Sequence, residues 1–181
     1  MKRMIALGLF CSLLLTIPVA AADYYEKFDK DEKMRAEPEE GHALVYVFRT
    51  AMVGAAIKTW AFVDDDLMMV SKPKAYSFAQ VPAGKHLFWT KSENTSAFEL
   101  DVEAGKTYYL KVKIKMGINK ARAKLVELES EEEIQKAFSK CSYVKPTSEG
   151  YARAKEIVAN RKDRALNKAE KRKSKDENRK K

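Results

Sequence analysis

The chain has 181 residues, 45% of them hydrophobic, which suits one domain with a buried core plus further segments. The formal charge of +9 is uneven, because residues 151–181 carry 13 Lys or Arg against 5 Asp or Glu, whereas residues 23–150 are close to neutral. Tyr151 is the only aromatic residue in this basic end, which therefore lacks the groups that stack on bases, and we expect no nucleic-acid partner.

The chain starts with the pattern of a signal peptide, which we place at residues 1–22. Lys2 and Arg3 precede the apolar run MIALGLFCSLLLTI, and Pro18 and then AAA complete a small-x-small cleavage pattern. The apolar run is shorter than the roughly 20 residues that span a bilayer. We therefore predict cleavage near Ala22 and a periplasmic or secreted bacterial protein.

The two cysteines have different expected fates. Cys11 lies in the signal segment, and the large Phe10 before it does not fit the small residue that lipoprotein processing requires. Loss of Cys11 with the signal leaves Cys141 alone, so no internal disulfide is expected. We interpret Cys141, at the end of a helical pattern, as a packing residue; intermolecular pairing and thiol chemistry are the alternatives.

The middle of the chain reads as strands. Residues 23–41 are charged and lack apolar periodicity, so we interpret them as a linker. Residues 42–141 predict a mainly β domain, an antiparallel β-sandwich of about seven or eight short strands. No helical segment separates these strands, so the crossovers of a parallel sheet are not expected. The strand segments are ALVYVFR, IKTWAFVDDD, LMMVS, AYSFAQ, KHLFWTK, SAFELDV, TYYLKVKIKM and ARAKLVELE.

One of these strands, EAGKTYYLKVKIKMG, alternates clearly between two faces. The apolar face carries Tyr108, Leu110, Val112, Ile114 and Met116, and the opposite face carries Tyr109, Lys111, Lys113 and Lys115. The lysines are candidate contacts for anionic glycans or lipid headgroups. The alternative is a solvated face that discourages edge-to-edge pairing of sheets.

Helices are predicted only after the strands. Ser130 and Glu133 form a capping-box pattern for a short helix that ends near Cys141. We interpret residues 142–181 as a basic tail, helical at first and disordered at KRKSKDENRKK. Candidate anion contacts in the tail are Lys171, Arg172 and Lys173.

No motif indicates a catalytic, cofactor-binding or metal site. Asp64, Asp65 and Asp66 put three carboxylates in one loop, but the ligand spacing of a calcium loop is absent. His42 and His86 are expected at strand edges as surface or hydrogen-bonded histidines. An enzyme would need His86 or the aspartate loop beside a nucleophile.

Five segments carry a family resemblance: GHALVYVFR (41–49), AFVDD (61–65), VPAGKHLFW (81–89), LDVEAGKTYYLKV (100–112) and MG (116–117). They are similar, in sequence and in order, to the DUF2846 family of bacterial secreted proteins and lipoproteins. The resemblance, which spans roughly residues 41–141, implies a small β-sandwich, often exported, with no assigned catalytic activity and no family site residues to transfer. Members commonly have Asp-Gly after the second strand, where this chain has three aspartates.

These patterns predict a non-enzymatic exported protein that binds or scaffolds at the cell envelope without a cofactor. Its basic tail would contact an anionic surface, including peripheral contact with a membrane, or another envelope protein. The alternatives are a structural subunit that assembles through strand edges and a hydrolase that uses His86 and the loop Asp64–Asp66. The sequence leaves the ligand and the oligomeric state open.

Overall fold

The computed structural model of the protein describes residues 23–29, 34–116 and 121–180. The predicted signal peptide, with Cys11, lies outside the described residues. Within those ranges the chain forms, in order, β1 (Tyr25–Lys27), β2 (His42–Arg49), β3 (Thr59–Val63), β4 (Asp66–Ser71), β5 (Ala75–Pro82), β6 (Gly84–Lys91), β7 (Thr95–Val102), β8 (Thr107–Met116), β9 (Ala121–Glu127), α1 (Glu131–Lys140), β10 (Ser142–Pro146) and α2 (Ser148–Lys180).

The strands form two facing sheets, as predicted. A six-stranded sheet has the order β1-β10-β5-β2-β8-β9, and a four-stranded sheet has the order β4-β3-β6-β7. Small and medium apolar side chains of β2, among them Val45 and Val47, meet Phe88 and Phe98 of the second sheet in the core between them. The prediction of a mainly β sandwich is confirmed.

The prediction of purely antiparallel pairing is corrected for the larger sheet. Strand β2 pairs with β8 in parallel, and β10 pairs with β5 in parallel. The first pair needs no crossover helix, because the chain passes through the four-stranded sheet between β2 and β8. Residues 81–84 carry the chain from β5 in the six-stranded sheet to β6 in the four-stranded sheet.

A helix covers the outer face of each sheet. Phe138 of α1 packs on Tyr46, Phe48 and Tyr76 of the six-stranded sheet. On the other side, α2 packs against an aromatic cluster of the four-stranded sheet that includes Trp60, Phe62 and Trp89. The molecule therefore has four layers, which explains why β2 and β3 are apolar on both faces. Ser130 is the N-cap residue of α1, but its side chain makes no cap hydrogen bond.

Two boundaries differ from the sequence prediction. The segment expected to be a linker contributes β1, and the segment expected to be a tail contributes β10, which pairs with both β1 and β5. The end expected to be disordered is helical as far as Lys180. The early part of α2 is stabilised by apolar packing on the four-stranded sheet, although few strongly hydrophobic residues in its sequence indicate such packing.

The start of α2 is fastened to the first described residues. The Thr147 backbone N–H donates to the Tyr24 carbonyl, and the Gly150 N–H donates to Thr147 Oγ1. A Cβ atom added at Gly150 would lie 2.2 Å from the Tyr24 carbonyl oxygen, so only glycine fits there. Segments that are distant in sequence thus form one rigid corner.

Candidate anion-binding groove

Strands β8 and β9 place like charges directly opposite each other. Lys113 faces Lys124, and Lys115 faces Arg122, in the antiparallel register of the two strands. All four side chains are exposed. Opposed like charges in a sheet lower its stability. Folding alone therefore does not account for this arrangement, and an anion bound between the pairs would relieve the repulsion.

These charges line a groove between β7, β8, β9 and α2 with a volume of about 840 Å³. Its basic side chains come from three elements, whereas no carboxylate of the described residues lines it. The remaining wall is small or apolar, including Ala97, Met116 and Val126. The basic lining residues are Lys113, Lys115, Arg122, Lys124, Lys168, Arg172 and Lys175. We call this feature the basic groove.

One asparagine holds the two sheets together at the groove. Asn94, in the turn between β6 and β7, donates from Nδ2 to the Ala123 carbonyl, with an N···O distance of 2.9 Å. The Ala123 backbone N–H donates back to Asn94 Oδ1 at 2.7 Å. The Asn94 amide thus makes the pair of hydrogen bonds that a neighbouring strand would make with β9. These bonds fix the position of β9, and of its basic side chains, relative to β7.

Packing of α2 sets the third wall of the groove. Ala154, Ile157, Ala165 and Ala169 are buried at helical spacing against the four-stranded sheet. The small size of the three alanines lets the helix backbone come close to the aromatic side chains beneath it. Lys168, Arg172 and Lys175 follow at spacings of four and three residues, so they share one side of the helix.

One ion pair and one cation–π contact orient α2 against the four-stranded sheet. Lys162 Nζ lies 2.6 Å from Asp65 Oδ2 in the β3–β4 turn. Arg172 stacks with its Cζ 4.8 Å from the centre of the Phe98 ring, and its Nε lies 3.8 Å from Asp176 Oδ2. Arg172 Nη1 is buried and has no hydrogen-bond partner among the described residues.

A second groove on the other side of Arg172 has a different charge. Lys85 and Lys173 share it with four carboxylates, those of Glu99, Asp101, Asp176 and Glu177. With Arg172, three basic side chains meet these four carboxylates there. The absence of carboxylates is therefore a property of the basic groove and not of the whole surface around α2.

The structure brings together half of the predicted anion contacts. Lys113, Lys115 and Arg172 line the basic groove. Lys111 lies instead in a depression beside α1, shared with Glu132 and Glu133. Lys173 lies in the mixed groove, and Lys171 is exposed on α2 and lines neither groove.

Sequence reasoning missed Arg122, Lys124, Lys168 and Lys175. The helical spacing of Lys168, Arg172 and Lys175 was a usable signal, because it puts three cations on one side of α2. The register of β8 against β9 was not readable, since it depends on the length and shape of the intervening turn.

His86 and Asp64 do meet, as the hydrolase alternative requires. His86 Nδ1 lies 2.6 Å from Asp64 Oδ2, and His86 Nε2 lies 2.9 Å from the Pro82 carbonyl oxygen. Both ring nitrogens thus face oxygen atoms of the protein. Asp64 also accepts from the Leu87 N–H, and its carbonyl accepts from Trp89 Nε1. These bonds hold the β3–β4 turn, in which Asp64 has a φ of 48°.

Cys141 and His42 each lie beside a backbone carbonyl oxygen. Cys141 is buried, and its Sγ lies 3.8 Å from the Arg49 carbonyl oxygen. His42 Nδ1 lies 2.9 Å from the Glu40 carbonyl oxygen. Among the described residues, no group of three or more His, Cys, Asp or Glu side chains could hold a metal ion. In the same part of the chain, no helix has the length and hydropathy to cross a membrane.

The fold and the groove define a class of protein: a two-sheet sandwich with a helix on each outer face and a cationic groove along one edge. The chain belongs to the family described as protein of unknown function (DUF2846), whose model matches residues 39–124. It is 31% identical over 137 residues to an uncharacterized protein of Haemophilus influenzae, covering 75% of this chain and 79% of that relative. The resemblance seen in the sequence is confirmed.

The matched region contributes only part of the basic groove. Lys113, Lys115, Arg122 and Lys124 lie within residues 39–124, whereas the three cations of α2 lie beyond them. The groove is therefore formed jointly by the family domain and by the helix that follows it.

Proposed function

We propose that the protein is a non-enzymatic binding module of the bacterial cell envelope that attaches to an anionic surface through the basic groove and α2. The observation that carries the proposal is the set of seven basic side chains that line one groove, in which no carboxylate of the described residues lies. Placement in the periplasm or outside the cell follows from the predicted signal peptide.

The charge of α2 beyond the groove supports the proposal. Burial, and next the guanidinium groups of Arg161 and Arg164, lower the pKa of Lys91. The cationic field therefore extends along the helix and reaches the end of β6. A surface with many anionic groups would engage both regions, because such fields act over about 8–10 Å at moderate salt.

The environment of His86 supports a non-enzymatic role. A general base needs a free lone pair directed at the group that it deprotonates. His86 directs one nitrogen at a carboxylate and the other at a carbonyl oxygen, and no hydroxyl or thiol of the described residues is hydrogen-bonded to it. The histidine fastens the turn to the β5–β6 connection.

The proposal is tested with vesicles that contain anionic lipid and with the chain from Asp23 to Lys181, which includes every described residue. Substitution is preferable to deletion of α2, because deletion would uncover the aromatic face of the four-stranded sheet. The test variant carries Lys113→Gln, Lys124→Gln and Lys168→Gln. Each basic residue contributes roughly 1 kcal/mol at an anionic membrane, so we expect binding to weaken about 100-fold.

A matched control carries Lys72→Gln, Lys136→Gln and Lys145→Gln, which removes the same charge at exposed positions outside both the groove and α2. Its vesicle binding at low salt should stay within a few-fold of the original, and high salt should release both proteins. Equal losses in the two variants would show that only net charge matters. Concentration-dependent oligomers without vesicle binding would favour the alternative of assembly through strand edges.

A further inference from the structure

An exposed loop between β2 and β3 is unusually apolar for a chain in which 34% of residues are charged. The sequence TAMVGAAI runs from Thr50 to Ile57 without a charged side chain. Met52 is 57% exposed and Val53 is 47% exposed. An exposed group of apolar side chains often marks an interaction surface.

A buried arginine holds this loop in shape. Arg49 has no exposed surface, and its guanidinium donates to the carbonyls of Gly54 and Ile57 and to Thr59 Oγ1. Gly54 has a φ of 68°, and its carbonyl also accepts from the Ile57 N–H at 2.9 Å. The apolar side chains are thus presented by a fixed turn, which lowers the entropy that binding would cost.

The loop adjoins the basic groove. A Cβ atom added at Gly54 would lie 3.9 Å from Met116 Sδ. Met116 is 61% exposed and lines the groove next to Lys115. The apolar surface of the loop therefore continues into the wall of the cationic groove.

Further cations flank the loop on its other side. Met52 shares a depression with Lys27, Lys74 and Lys140, and among the residues that the structure describes Asp29 is the one carboxylate that lines it. An apolar tip with lysines on both sides matches the layering of an anionic bilayer, in which phosphates lie above the acyl chains. A soluble polyanion or a glycan would engage the cations and leave Met52 and Val53 in water.

We propose that the partner is a phospholipid bilayer with anionic headgroups, and that the loop Thr50–Ile57 enters the boundary of its acyl region while the basic groove binds headgroup phosphates. This inference rests on the proposed function and names its partner. Apolar contact adds to the electrostatic attraction, and both should be needed for strong binding.

The first test replaces apolar side chains without changing charge. Met52→Ser with Val53→Ser, in the chain from Asp23 to Lys181, should weaken binding to phosphatidylglycerol vesicles at least 10-fold. Binding of inorganic tripolyphosphate should not change, because the basic groove is intact. The matched control is Met34→Ser with Leu166→Ser, two side chains that are 45% and 42% exposed elsewhere, and it should bind vesicles as the original does.

The second test reports where the loop lies. Val53→Cys gives this chain a single exposed thiol, because Cys141 is buried. An environment-sensitive dye at that thiol should shift to the blue with phosphatidylglycerol vesicles, be quenched by lipids brominated near the headgroup, and not respond to tripolyphosphate.

The outcomes separate the two proposals. Salt-sensitive vesicle binding with the dye in water and with unchanged affinity of the loop variant would overturn bilayer entry and leave the proposed function standing. Binding of tripolyphosphate but not of vesicles would also overturn bilayer entry. An original protein that binds neither would overturn both proposals.

Discussion

Tyr76 lies where α1 meets the six-stranded sheet. Its ring packs at 5.6 Å from that of Phe48 and 5.4 Å from that of Phe138, and its hydroxyl donates to the Met34 carbonyl at 2.9 Å. Burial, and next the neighbouring Tyr46, raise the pKa of Tyr76 to about 12. The folded protein thus holds this phenol in its neutral form well above the usual range.

We predict that Tyr76 makes the protein sensitive to alkali. Its contribution is fully present below pH 10, the usual tyrosine pKa, and is lost as pH rises towards 12, because only the unfolded chain ionises freely in that window. The loss amounts to about 2–3 kcal/mol of unfolding free energy. Tyr76→Phe should flatten this dependence, as measured by urea unfolding at several pH values from 8 upwards.

Tyr151→Phe is the control, because Tyr151 is exposed. It should follow the original protein at every pH. Burial lowers the pKa of Arg49 to about 10, and this shift acts in the opposite direction, since it adds stability as pH rises above that value. Arg49 is common to all three proteins, so its effect cancels in the differences. An equal alkaline loss in Tyr76→Phe would contradict the prediction.

At the level of elements, strands β8 and β9 place like charges opposite each other, and a bound anion would reduce their repulsion. We expect Lys124→Gln to raise the unfolding free energy by about 0.2–1 kcal/mol without ligand, because it removes the repulsion from Lys113. The same change should weaken anion binding. Urea unfolding and vesicle binding of one variant test both halves.

The control for this prediction is another cross-strand lysine. Lys145 of β10 faces Glu26 of β1, an opposite charge. Lys145→Gln should therefore lower stability slightly where Lys124→Gln raises it. A loss of stability in both variants would show that the lysines of β8 and β9 serve the fold after all.

Helix α2 is predicted to depend on its small buried residues. Ala165 has no exposed surface, so Ala165→Asp would place an unpaired carboxylate against the aromatic cluster and should lower stability by about 3 kcal/mol or more. Ala152→Asp adds the same charge to an exposed position of α2 and should have little effect. Urea unfolding followed by fluorescence of Trp60 and Trp89 measures both variants. Similar unfolding free energies for the Ala165→Asp and Ala152→Asp variants would contradict the packing of α2 on the sheet.

The elements differ in how far the sequence could predict them. The alternation in β8 and the apolar runs of β2 and β3 are sufficient to predict these strands, because the local side-chain pattern indicates a strand. β1 and β10 were missed, since each is short and stable only through its partner. The docked face of α2 was underestimated because alanines at 154, 165 and 169 carry little hydrophobic signal.

The groove was harder to predict than the fold. Lys113 and Lys115 were identified from one strand, but their meeting with Lys168 and Arg172 depends on how α2 lies across β7. Helix placement follows from tertiary packing and not from local pattern. The density of basic residues along the sequence predicts a free tail, whereas their distribution around the helix places several of them at the groove.

On the scale of the whole molecule, a ligand of the groove should stabilise the fold. At a tripolyphosphate concentration about 100 times its Kd, mass action adds about 2.7 kcal/mol, which corresponds to a rise in Tm of about 5–10 °C for a chain of this size. The rise should disappear in the variant with Lys113→Gln, Lys124→Gln and Lys168→Gln. Scanning calorimetry at low ionic strength measures it.

Phosphate at the same ionic strength serves as the control for general salt effects, because a single anionic group bridges fewer of the groove's cations. It should raise Tm much less. An equal rise in the original protein and in the groove variant would mean that the anion acts elsewhere, for example on the basic face formed by Arg161 and Arg164.

The fastening of Tyr24 and Asp23 to Thr147 has a consequence for the order in which the chain can fold. Strand β1 has its partner in β10, and the Thr147 hydroxyl reaches the Asp23 carbonyl across 124 positions of sequence. The six-stranded sheet cannot be completed until nearly the whole chain is available. Long sequence separation slows folding. During synthesis β1 therefore stays without its strand partner until β10 has been made.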